Sequence, residues 1–137
     1  MQEKISNKIS HRVYYYETDK MGRVYHSNFL SWMEEARTEF IRNRGISYSE
    51  IEKNGILMPV SEIKIKYYNP VEYDELIQIV ITINELSKVK VEFNYEFYNE
   101  KMDVKFGEAV SVNIFTDLNG KIKRIDKELY KLLGGEE

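Results

Sequence analysis

The 137-residue chain has no cysteine, only two histidines and only two prolines. Without thiols there is no disulfide, no thiolate zinc site and no cysteine nucleophile. Two histidines alone leave at most a carboxylate-rich or mixed metal site, so no metal is expected. Neither proline nor the seven glycines gather into a linker, and no repeat or low-complexity stretch divides the chain, so residues 1–137 read as a single domain. No apolar run approaches the ~20 residues of a membrane span. The opening MQEKISNKIS mixes charge with isolated isoleucines and is no export signal, which makes a cytoplasmic protein the expectation. Charge of one sign is also missing. Twenty basic against 23 acidic residues leave a net charge of −3 with the cations spread along the chain, which disfavours nucleic acid as a partner. The sequence contains no G-x-S-x-G, H-E-x-x-H, G-x-x-x-x-G-K-[ST] or G-x-G-x-x-G motif, so those enzyme classes lose their support.

Periodicity is what the chain does have. Ile9–Tyr16, rich in β-branched and aromatic residues, predicts a first strand. Phe29, Trp32, Met33, Ala36 and Phe40 then recur at helical spacing, which predicts a helix capped by Asn28 and stopped by Gly45. A short helical turn follows over residues 47–52. After it the period changes to two, predicting strands over 63–68, 76–86, 89–98 and 104–115. In the third of these Val89, Val91, Phe93, Tyr95 and Phe97 alternate with Lys88, Lys90, Glu92, Asn94 and Glu96, so one face is dry and the other wet. The turn Asp117-Leu118-Asn119-Gly120, a last strand over 121–124 and a closing helix capped by Asp126 complete an α+β pattern.

Candidate chemistry concentrates between Tyr15 and Asn28, where a carboxylate, a glycine and a histidine crowd the approach to a helix N-terminus. Free N–H groups there can stabilise an oxyanion while a carboxylate attacks or activates water. From spacing alone Thr18-Asp19 reads first as an ordinary turn, and His26 first as a capping or core residue. Glu34 and Glu35 lie on the helix, and Glu35 reads as a flank residue, solvated or paired, for example with Arg37 or a lysine. Lys64, Lys66, Lys88 and Lys90 recur on polar strand faces, either simply solvated or able to meet phosphates. The row Phe93, Tyr95, Phe97 reads as core or subunit surface.

The combined pattern Y-x-x-T-D-x-x-G-x-V-Y-H-x-N-F from Tyr15, followed by M-E-E-A-R-T-E-F, resembles acyl-CoA thioesterases of the 4-hydroxybenzoyl-CoA thioesterase type. The likeness continues through Met58-Pro59-Val60, Ile65–Pro70 and Asp74-Glu75-Leu76, and weakens after Tyr98. It implies the hotdog fold, a long central helix wrapped by a curved antiparallel sheet of five or six strands. It also implies a homodimer with active sites at the interface, and a tetramer as a dimer of dimers. Asp19 falls where the family has its catalytic carboxylate. The backbone N–H near His26 would polarise the thioester carbonyl, Gly22 would let the loop pass close to the substrate, and Tyr15 and His26 would shape the pocket. Met21 and Arg23 depart from the family's usual glycine and apolar residue, which bears on pocket shape. The expected activity is hydrolysis of an acyl-CoA, or of an acyl group on a carrier protein, with no cofactor. The alternatives are a non-catalytic acyl-thioester binding module and a dehydratase acting on hydroxyacyl thioesters.

Overall fold

In the computed structural model, which describes residues 5–136, β1 (Ser6–Arg12) leads through a 3₁₀ turn into the long helix α1 (Asn28–Asn43) and the short α2 (Tyr48–Lys53). Four strands follow, β2 (Val60–Tyr67), β3 (Leu76–Leu86), β4 (Lys90–Tyr98) and β5 (Lys105–Ile114), and α3 (Lys127–Leu132) comes last. The five strands form one antiparallel sheet in the order β1-β3-β4-β5-β2. The alternation that predicted β3 and β4 decides which face is covered. Ile77, Ile79 and Ile81 with Val91, Phe93, Tyr95 and Phe97 are buried under α1, while Gln78, Thr82, Asn94 and Glu96 occupy the other face.

Helix α1 answers with Phe29, Trp32, Met33, Ala36, Phe40 and Ile41, all buried. Its aromatic residues meet those of β4 edge to face, Phe40 on Phe93 with ring centres 5.7 Å apart and Phe29 on Phe97 at 4.9 Å. Each such burial contributes roughly 1.5–3 kcal/mol relative to exposure. Beside Phe29, β5 carries Gly107, where a Cβ would sit 2.5 Å from the Lys66 carbonyl oxygen, so only glycine lets the two strands close on the helix start.

Several boundaries differ from the sequence expectation, β1 beginning at Ser6 rather than Ile9 and β2 at Val60 rather than Ile63. The first strand stops at Arg12, because Val13 turns into the core and Tyr15–Glu17 coil into a 3₁₀ turn that leaves Tyr14, Tyr15 and Tyr16 exposed. The β propensity of three tyrosines yields there to burial of the Glu17 carboxylate, which accepts the Tyr14 N–H at 2.8 Å. Asn28 does not cap α1. It is the helix's first residue, and its side chain reaches back to the carbonyls of Glu17 and Tyr25. Residues 121–124 form no strand, Ile122 making only an isolated bridge to Thr116, so the sheet has five strands.

Strand β2 closes one edge. Among the described residues it pairs only with β5, and in its inward row Ile65 packs on the core while Ile63 and Tyr67 stay 43% and 47% exposed. Among the described residues no helix is long and apolar enough to cross a membrane.

Candidate active site

The segment Glu17–Tyr25 folds as a tight hairpin. Thr18 bridges Val24, and the Asp19 amide donates to the Arg23 carbonyl at 2.7 Å. At the tip, Asp19 Oδ1 accepts the amides of Met21 at 2.8 Å and Arg23 at 3.2 Å, while no described residue engages Oδ2. The turn reading and the functional reading of Thr18-Asp19 are therefore compatible, since the turn holds one carboxylate oxygen and leaves the other open on an exposed loop. Gly22 supplies the left-handed residue of this turn, with φ of +77°. Nothing lies within 4 Å of the Cβ position, so within one protomer its conformation, not its size, explains the glycine.

The hairpin is bound to the start of α1. Tyr25 N–H and the Asn28 side chain both donate to the Glu17 carbonyl, at 2.9 and 2.8 Å. The amides of Asn28, Phe29 and Leu30 are taken by the carbonyls of Tyr25, His26 and Ser27. No acceptor among the described residues takes the amides of His26 and Ser27. These are N–H groups at the positive end of a 16-residue helix. The His26 ring is exposed and lies 4.4 Å from that of Tyr25, and the Tyr67 hydroxyl donates to the His26 carbonyl at 3.2 Å. Tyr15 is 76% exposed and packs edge-on against Tyr73. Asp19 and Gly22 thus share one hairpin with His26 at its root, and Tyr15 stands at the hairpin's entry.

Other sequence assignments shift. Glu35 does not pair with Arg37. Its carboxylate lies 2.9 Å from His11 Nδ1, and the other ring nitrogen of His11 faces Glu17 at 3.0 Å. Arg37 instead donates to the Tyr95 hydroxyl at 2.9 Å, and Tyr95 OH contacts Ser111 at 2.5 Å. Burial opposes the Arg37 cation, yet Tyr95 and Tyr48 beside it hold its pKa above the usual guanidinium value. The His11–Glu17–Trp32 contacts escaped sequence reasoning. A usable signal was present, because His11 falls on the inward phase of β1 with Asn7 and Ile9. Lys64 and Lys66 lie on the sheet face opposite α1, and Lys88 and Lys90 at the far end of the β3–β4 hairpin, so none of the four adjoins Asp19. The exposed cations of the hairpin itself are Lys20 and Arg23. Phe93, Tyr95 and Phe97 are core.

A helix wrapped by a five-stranded antiparallel sheet, with a carboxylate loop at the helix start, defines the hotdog class. Comparison with known proteins agrees. Residues 13–133 match the thioesterase-like superfamily, and the chain belongs to it. It is 40% identical over 105 residues to YneP of Bacillus subtilis, provisionally named an acyl-CoA thioesterase, covering 77% of this chain and 75% of that one. It is 30% identical over 88 residues to the acyl-CoA thioester hydrolase YbgC of Escherichia coli O6:H1, covering 64% and 66%. The DHNA-CoA thioesterase of Staphylococcus aureus superposes with a TM-score of 0.87 at 28% identity, over 93% of this chain and 87% of that one.

Proposed function

We propose that the protein is an acyl-CoA thioesterase that releases a carboxylic acid and free CoA, with Asp19 as the catalytic carboxylate. One observation carries this reading. An aspartate with one oxygen locked in a turn and the other open sits on a hairpin anchored to a helix start whose His26 and Ser27 amides, like that second oxygen, have no partner among the described residues. A thioester carbonyl received by those amides gains stabilisation as its oxygen becomes negative. Asp19 then either attacks the carbonyl carbon, the C–S bond breaking to expel CoA thiolate, which takes up a proton, and leaving an anhydride that water hydrolyses, or takes the proton of an attacking water. In the second route the C–O bond forms, the C–S bond breaks and the proton passes to the leaving sulfur. Gly22 shapes the loop, and Tyr15 and His26 line the approach. The close relationship to chains named for acyl-CoA hydrolysis supports CoA as the carrier.

The catalytic unit in this reading is a homodimer of single-domain chains, extending to a dimer of dimers. The uncovered row on β2 supports it, since a free edge with exposed Ile63 and Tyr67 is a surface for a second copy.

The test is thiol release from short, long and aromatic acyl-CoAs by the purified protein and by Asp19→Asn. The amide keeps the turn's acceptor oxygen but removes the negative charge, so turnover is expected to fall at least ~100-fold with the fold intact. Wild-type turnover in folded Asp19→Asn would remove Asp19 from the chemistry. Absence of hydrolysis with retained acyl-CoA binding would favour a binding module.

A further inference from the structure

Glu17, two residues before Asp19, is only 3% exposed. Its Oε1 accepts from the Tyr14 amide at 2.8 Å, and its Oε2 from Trp32 Nε1 at 2.6 Å. His11 Nε2 lies 3.0 and 3.2 Å from the two oxygens, and His11 Nδ1 continues to Glu35 at 2.9 Å. A neutral imidazole has one N–H, so both contacts are donor bonds only when the ring carries two. The Glu17 main chain is equally engaged, its carbonyl holding Tyr25 and Asn28. One residue therefore connects the end of β1, the second turn of α1 and both sides of the Asp19 hairpin.

We infer that Glu17 is a positioning residue: it fixes the hairpin on α1 and so sets where the Asp19 carboxylate stands relative to the amides of His26 and Ser27. The inference rests on the reading of Asp19 above. The geometry requires a carboxylate. Each oxygen receives its own N–H donor, so an amide would turn its NH₂ group toward either Tyr14 N–H or Trp32 Nε1–H. The substrate does not have to touch Glu17 for this to matter, because displacing a reacting group by about 1 Å can reduce rate ~100-fold.

The test uses Glu17→Gln in the full chain. Expected are a kcat at least ~10-fold lower, KM within about twofold of wild type and an unchanged circular dichroism spectrum. Glu35→Ala, at the outer end of the same contacts, should lower kcat about threefold. Glu39→Ala, on the same helix and paired with Arg42, should leave it unchanged. A second readout needs no substrate. Trypsin cleavage after Lys20 or Arg23, both exposed, should accelerate in Glu17→Gln. Wild-type kcat with wild-type cleavage overturns the inference, as does a raised KM at constant kcat. If Glu17→Gln does not fold, His11→Asn and Glu35→Ala carry the same paired readout, and cleavage rising without loss of kcat refutes the role. Failure of the Asp19 reading shows separately, as undiminished turnover in Asp19→Asn.

Discussion

Asp19 and Gly22 divide the work of one turn, the first as acceptor and the second by adopting φ of +77°. Since open space surrounds the Gly22 Cβ position, Gly22→Ala should cost about 1–3 kcal/mol through backbone strain alone. Gly22→Asn should recover most of it, because asparagine tolerates the left-handed region. Urea midpoints of the three proteins decide the matter, and equal losses in both variants would show that φ is not what the glycine provides. The turn they form was legible from sequence because their spacing lies within one short loop, whereas their candidate site roles came from the family resemblance. Of the Glu17 network only the inward phase of His11 on β1 was legible, not its partners. His11, Glu17, Trp32 and Glu35 meet only once β1 and α1 are packed, and no local period connects a histidine on a strand with a glutamate on a helix flank.

At the level of elements, β3, β4 and α1 were predicted to within a residue or two because each buries one continuous face, and a face leaves a period in the sequence. The segments that failed carry no period to read, since 13–16 bury only Val13 and 121–124 bury nothing, the next buried residue being Ile125. The α1–α2 junction gives a pH prediction. Burial, partly opposed by the Arg37 cation, pushes the Tyr48 phenol up to about 12. An unfolded tyrosine titrates near ~10, so the fold favours the protonated phenol. That contribution is complete below pH ~10 and is lost as pH rises toward the folded value, which makes stability fall across this window by roughly 2–3 kcal/mol. Tyr48→Phe should flatten the fall in chemical denaturation measured from pH 9 to 12. An equally steep decline in that variant would assign the alkaline loss to other groups.

Seen whole, the molecule is a sheet finished on its inner strands and unfinished at β2. Light scattering at low micromolar concentration should find a dimer. Ile63→Glu places a charge in the exposed inward row of the edge strand, where a partner would bury it, and should shift the protein toward monomer with loss of turnover. The spectrum should still report a folded sheet, because within the protomer Ile63 is already part-exposed. An active, stable monomer would refute both the dimeric site and its location.

The same edge has a history in time as well as in space. Strand β2 is synthesised before its sheet partner, Ile63 waiting roughly 50 residues for Ser111. At ~5–20 residues per second of synthesis, an alternating apolar strand spends several seconds on the ribosome with no hydrogen-bonding neighbour. Glu62, Lys64 and Lys66 alternate with the apolar row on this strand, and charges on an exposed edge oppose pairing with other strands. A variant with these charges replaced by serine should therefore lose more in the yield of newly made protein than in the melting temperature of the mature fold.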